Sequence, residues 1–211
     1  MGKIVIELQN DALNSEFNVI KLLRKAYLIA KKLKVKEFEE WAKKELDGYK
    51  YSDKVPEYRL VRGEFKAWDP QYGWIPVVLT KNDAQLTNHA VLESISNLLN
   101  GYENSGKSIL FAGEEMSAIF SQASNFNTKY ALFVGKNQIY DIFEQIRNIV
   151  LEWTLILEEN QIFGEESQFN QMEQDIAKTT SIINNYINNF YSSVTDTQIQ
   201  QDTIESSQKK E

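Results

Sequence analysis

Apolar positions at helical spacing open the chain's first clear pattern. Val19, Leu22, Leu23, Ala26, Tyr27 and Ala30 keep a 3.6-residue rhythm, with most lysines on the opposite face. Ser15 is a suitable cap for this helix. A second helix is predicted over Lys36 to Leu46, with Phe38, Trp41, Ala42 and Leu46 on one side. Asp47-Gly48 ends it, since glycine is favoured just past a helix. Together they predict a helical hairpin. The rhythm then changes to period two. Arg59, Val61, Gly63, Phe65 and Ala67 share one face, and Tyr58, Leu60, Arg62, Glu64, Lys66 and Trp68 the other. Asp69-Pro70-Gln71-Tyr72-Gly73 reads as a turn. Trp74 to Leu79 returns as a strand, and Pro76 places that strand at an edge because proline donates no ladder hydrogen bond.

The middle of the chain is mixed. Val91, Leu92, Ile95, Leu98 and Leu99 predict a short helix, Gly101 to Gly106 a loop, and Ile109 to Phe111 a strand. Glu114 to Ser121 reads as a helix and Lys129 to Val134 as a strand. Helix returns from Asn137 to Phe163, with Ile139, Ile142, Phe143, Ile146, Ile149, Val150, Trp153, Ile156 and Leu157 inward and Gly164 as its breaker.

A further helix is predicted from Phe169 to Phe190. Phe169, Met172, Ile176, Thr179, Ile183, Tyr186 and Phe190 follow one another in steps of 3, 4, 3, 4, 3 and 4. That is a heptad seam, the pattern that lets helices supercoil around each other. It predicts self-association, with folding back onto the same chain as the alternative. From Tyr191 onward Ser, Thr, Gln and Asp dominate without a core-forming pattern, which reads as largely disordered in isolation. The expected organisation is a domain over 1–165, a helical extension over 166–190 and a polar tail over 191–211.

Composition narrows the function classes. The chain has 211 residues, a net charge of −7 and no cysteine. Disulfides, thiolate metal sites and cysteine nucleophiles are therefore excluded. The acidic balance disfavours duplex nucleic acid as a partner, although Lys21 to Lys36 holds seven Lys or Arg and no acid. The start of the chain does not read as a signal peptide, and no apolar run of about 18 residues predicts a membrane span. A cytoplasmic location is expected.

The most conspicuous motif is Gly101-Tyr-Glu-Asn-Ser-Gly106-Lys107-Ser108, which matches the P-loop pattern letter for letter. A P-loop needs a strand before it and a helix after it, so that amides and a helix N-terminus hold the phosphates. Here the helix precedes and the strand follows, so nucleotide binding is not expected. The single histidine, His89, cannot assemble a histidine metal site, and its position suggests a surface or capping role. No G-x-S-x-G elbow supports a serine triad. The adjacent carboxylates Glu39-Glu40, Glu114-Glu115, Glu158-Glu159 and Glu165-Glu166 do not face each other on a helix, so they are poor acid–base couples. No catalytic residue, cofactor or metal is assigned. The four arginines, Arg24, Arg59, Arg62 and Arg147, read as ion pairs that lock helices to the sheet, with an anion clamp as the alternative. Trp41 and Trp153 lie on core stripes. Trp68 and Trp74 flank the turn and are expected to pack across a hairpin.

Four ordered segments together resemble the AbiTii domain family. They are Val5-Ile-Glu-Leu-Gln-Asn with Leu22-Leu-Arg-Lys-Ala26; Trp41-Ala-Lys-Lys-Glu-Leu-Asp-Gly-Tyr49; Val55-Pro-Glu-Tyr-Arg59 with Arg62-Gly63; and Ile146-Arg-Asn148 through Trp153 to Ile162-Phe-Gly-Glu165. The resemblance implies a role in bacterial abortive infection and phage defence and carries over no catalytic residue. The expected fold is α+β and mostly helical, with the N-terminal hairpin and a long C-terminal helix around a small antiparallel sheet. The expected function is a non-enzymatic defence component acting by self-association or by contact with a partner defence protein. The alternative is a toxin enzyme, a nuclease or nucleotide-degrading activity, with a dispersed site.

Overall fold

The computed structural model describes residues 2–14, 16, 18–78, 87–112, 117, 121, 126–165, 168–180 and 186–191. The predicted hairpin is formed by α2 (Val19–Leu33) and α3 (Lys36–Asp47). Ser15 lies outside the described residues. The observed cap is Asn18, whose side chain accepts from the Ile20 and Lys21 amides at 3.0 and 3.1 Å. Val19, Leu22, Leu23, Ala26, Ile29, Ala30 and Leu33 face the core, as their spacing requires. Gly48 ends α3.

Ahead of this hairpin runs α1 (Ile4–Leu13), which buries Ile4, Val5, Leu8 and Ala12. Its chief neighbour is α5 (Lys136–Glu159), near the other end of the chain. The Ile4 and Val5 amides donate to the Gly164 and Phe163 carbonyls at 3.0 and 3.1 Å. These bonds satisfy two of the orphan donors of the first helical turn.

The sheet has strand order β2-β1-β5-β4, with β3 paired to the start of β1. Its strands are β1 (Leu60–Asp69), β2 (Gly73–Pro76), β3 (Asn88–Ala90), β4 (Ser108–Ala112) and β5 (Tyr130–Gly135), all paired antiparallel. Val61, Phe65 and Ala67 are buried while Leu60, Arg62 and Glu64 are exposed, so the predicted alternation sets the inner face. Asp69 closes the turn by accepting from the Gln71 and Tyr72 amides. Pro76 sits in an edge strand. Gly63 is required by close approach: a Cβ there would lie 2.6 Å from Leu132 and 2.8 Å from the Phe133 carbonyl.

Several boundaries differ from those expected. Ser94 caps α4 (Ile95–Asn104), so Val91 and Leu92 precede the helix, and Gly101 to Asn104 belong to it rather than to a loop. The α5 helix stops at Glu159, before Gly164, where Gln161 turns to a positive φ of 60°. The helix expected over Glu114 to Ser121 falls mainly outside the described residues.

The largest difference is at the C-terminus. α6 (Gln171–Thr179) starts with a capping box between Asn170 and Glu173 and ends at Thr180, which is extended. A separate 3-10 segment, Tyr186–Tyr191, follows. One helix from Phe169 to Phe190 is therefore not formed. Thr179 helps end it, as its hydroxyl bonds back to the Asp175 carbonyl at 2.8 Å. Phe169 and Ile187 are buried in the domain's own core, and Ile176, Tyr186 and Tyr191 pack against it, while Met172 is exposed. Ile183, the side chain of Phe190 and the tail from 192 lie outside the described residues.

Candidate functional site

The centre of the molecule is a buried polar network built from the second and third of the family-like segments. On α3 the inward stripe is Phe38, Trp41, Ala42 and Glu45, so a carboxylate takes the place where helical spacing calls for an apolar residue. Glu45 and Arg59 are both fully buried. The Arg59 Nε donates to both Glu45 oxygens at 3.0 and 3.1 Å, and one Nη donates to Oε2. The other Nη donates to the Val91 and Glu93 carbonyls at 2.9 and 2.8 Å. Tyr49 and Tyr58 each donate their hydroxyl to Glu45 Oε1 at 2.7 Å, and Trp41 Nε1 donates to the Tyr58 hydroxyl at 2.8 Å.

Local backbone chemistry fixes this arrangement. Gly48 adopts φ 95°, a conformation that side chains resist. A Cβ at Gly48 would also stand 3.0 Å from the Leu92 carbonyl. That carbonyl accepts from the Tyr49 amide at 2.8 Å, which aims the Tyr49 ring back over Arg59 at 4.9 Å. Pro56 leads into a single 3-10 turn, Glu57–Arg59, and that turn delivers Tyr58 and Arg59 to Glu45.

The electrostatics follow from burial and from one carboxylate. Burial, then the Glu45 charge, pushes the Tyr49 and Tyr58 hydroxyls well above the usual tyrosine range. Burial alone would lower the Arg59 guanidinium, but Glu45 outweighs it and holds Arg59 above its ordinary value. Glu45 thus accepts from three residues on both oxygens. A carboxylate so occupied is a cross-link between elements, not a free base or nucleophile.

Above the network lies an open groove of about 490 Å³. Glu37, Glu40, Lys44 and Lys54 line it together with Trp41, and the 3-10 segment contributes Ile187, Asn188 and Tyr191.

The remaining candidates are dispersed. Arg24 is exposed, and so is Arg62. Arg62 is gripped through its backbone, whose amide and carbonyl bond the Gln138 side chain at 2.8 and 2.7 Å. Arg147 is buried, pairs with Glu144 of its own helix at 3.3 Å and donates to the Asn14 carbonyl at 3.2 Å. It therefore ties α5 to the end of α1, where a link to the sheet was expected. His89 is not a cap: it lies in β3 with its ring 4.7 Å from Phe111, and burial lowers its pKa. The octet joins the end of α4 to β4, with open space around Gly101 and Gly106 and an exposed Lys107. Trp68 and Trp74 pack edge to face at 5.4 Å across the hairpin. Among the described residues no three His, Asp or Glu side chains gather as a metal site requires, and no helix is long and apolar enough to cross a membrane.

A mostly helical α+β domain whose shared motif residues meet in one buried network is the class this structure defines. The AbiTii family model matches residues 3–182, and the chain belongs to that family. Membership points to an association with abortive infection in phage defence. Neither a curated protein nor a solved structure matches the chain. Sequence reasoning passed over Glu45 itself. The available signal was its place seven residues after Phe38, on a stripe of buried positions, with an inward-facing Arg59 downstream.

Proposed function

We infer that this chain is a non-enzymatic component of an abortive-infection defence system, working in the cytoplasm through self-association or contact with a partner protein. The observation that carries this reading is the use made of the family motif. Trp41, Glu45, Tyr49, Tyr58 and Arg59 satisfy one another inside the core, so the shared residues maintain a shape rather than confront a substrate. What such a shape offers is surface, and a surface acts by binding.

The test has two arms. Purified protein is incubated with DNA, RNA, nucleoside triphosphates and dinucleotide cofactors, and all are expected to remain intact. Calorimetry with ATP and magnesium is expected to show no heat, and Lys107→Ala to change nothing. Light scattering at tens of micromolar is expected to give a mass above the 24.5 kDa of one chain, or bacterial extracts to supply a stoichiometric partner. Turnover of any substrate by a monomer overturns this reading in favour of a toxin enzyme.

A further inference from the structure

The 3-10 segment Tyr186–Tyr191 lies on the part of the surface where the family motif comes closest to solvent. It packs against α3 and against the turn Glu57–Arg59. Ile187 is only 2% exposed, Tyr191 interacts with the Tyr49 hydroxyl, and the Tyr186 hydroxyl bonds a Glu152 carboxylate oxygen. The segment is nevertheless an appended piece. The chain leaves helical conformation at Thr180, and the family match ends at residue 182, before the segment begins.

Two more observations bear on its exchangeability. A six-residue 3-10 segment holds itself together weakly, because its hydrogen-bond geometry is poorer than that of an α-helix. Beside the segment, which forms one of its walls, a groove of about 490 Å³ stays open, rimmed by Glu37 and Glu40 and by Lys44 and Lys54. A surface of this kind accepts a short segment with a buried aliphatic anchor, flanking tyrosines and neutral amides between them.

We propose that the surface of α3 and of the turn Glu57–Arg59 beneath this segment is a binding site for a short aromatic segment. Residues 186–191 fill it in cis, and the same segment from a second copy is its partner in trans. The proposal rests on the self-association reading above and supplies its surface. Exchange of one element between identical chains is a low-cost route to a dimer, because the contacts already exist within one chain. The cis segment also sets the threshold. A tethered segment acts at an effective concentration on the order of millimolar. A free peptide at tens of micromolar therefore loses the competition, whereas two copies that exchange segments reciprocally keep both sites filled.

The experiment uses the full-length chain and a fluorescent peptide of the sequence 185–192. Wild type is expected to leave the peptide's anisotropy unchanged up to about 50 µM protein, given millimolar competition in cis. Full-length Ile187→Asp, which disables only the cis segment, is expected to bind the same peptide with a dissociation constant on the order of 0.1 mM. A peptide carrying the Ile187→Ala change is expected to bind that variant at least tenfold more weakly, since the buried anchor is gone. Should Ile187→Asp lose its cooperative melting transition, full-length Ile187→Ala, which shortens the anchor without burying a charge, carries the same comparison. A folded variant that ignores the peptide to about 1 mM overturns the proposal, as does wild type binding the peptide as tightly as the variant. Peptide binding is read independently of oligomer mass. A missing oligomer beside a binding surface counts against self-association, and an oligomer beside a silent surface counts against this site.

Discussion

Arg59 and Arg147 are both buried, and both are paired with a glutamate, but the two pairs do different work. Arg59 meets Glu45 across fourteen residues of sequence, and its remaining donors reach the Val91 and Glu93 carbonyls on a third segment. Arg147 meets Glu144 one turn away on its own helix and also reaches the Asn14 carbonyl at the end of α1. Glu144 is partly solvated, whereas Glu45 is not. The first pair cross-links the fold, and the second mainly neutralises one face of a helix. Burial by itself does not say how much of the structure depends on a charge. The number of separate elements that converge on it does.

The largest effect is expected from removing one member of the central pair. Arg59→Met leaves Glu45 without its counter-ion and is expected to cost about 3–5 kcal/mol. For a chain of this size that is a fall of roughly 6–20 °C in melting temperature, measured by circular dichroism. Combining it with Glu45→Met is expected to recover most of the loss, because two apolar side chains can replace a buried ion pair at little cost. A double variant as unstable as the single one would show that the charges themselves hold α3 in place.

Gly48→Ala asks whether backbone or charge positions the network. The positive φ and the 3.0 Å approach to Leu92 are expected to cost about 1–2 kcal/mol. Nuclear magnetic resonance shifts at Tyr49 and Arg59 are expected to move with it. Arg147→Ala comes next. It removes a mostly shielded side chain but strands only a partly solvated carboxylate, so about 1 kcal/mol is expected from the same melting assay. A loss as large as that of Arg59→Met would erase the distinction drawn here.

The smallest effect at neutral pH is that of Tyr58→Phe, about 1 kcal/mol, though its signature lies at high pH. The folded state holds Tyr49 and Tyr58 in their neutral form well above the usual range, by burial first and Glu45 second. Stability from a raised pKa is fully present below the unfolded value, about pH 10, and is lost as pH rises toward the folded value. Wild type is therefore expected to keep this contribution up to about pH 10 and to weaken above it. Tyr58→Phe is expected to flatten that decline, which urea titrations between pH 9 and 11.5 would measure.

What the sequence made legible follows range of interaction. The α2 and α3 stripes and the alternation of β1 depend on neighbours a few residues apart, and they were readable as periodicity. Trp68 against Trp74 was readable because a tight turn fixes the register. The short α1 gave little signal on its own, since its ten residues acquire their meaning from α5. Glu45 looked like one acid among thirty, because its partner is named only by tertiary structure. The heptad steps after Phe169 ran through Ile176 and Tyr186, which lie on separate elements and both pack against the domain's core. Periodicity says that an apolar face is covered, not which chain covers it, nor that the helix continues past Thr180.

The lacing of Ile4 and Val5 to Phe163 and Gly164 sets an order of events during synthesis on the ribosome. Within the domain α1 is made ahead of the other helices, yet its packing partner is completed only some 150 residues later. At about 5–20 residues per second, α1 waits roughly 8–30 s with Ile4, Val5 and Leu8 unsheltered. The α2–α3 hairpin, whose two helices pack on each other, is complete long before that. Closure of the domain therefore waits until α5 and the Phe163–Gly164 segment have been made.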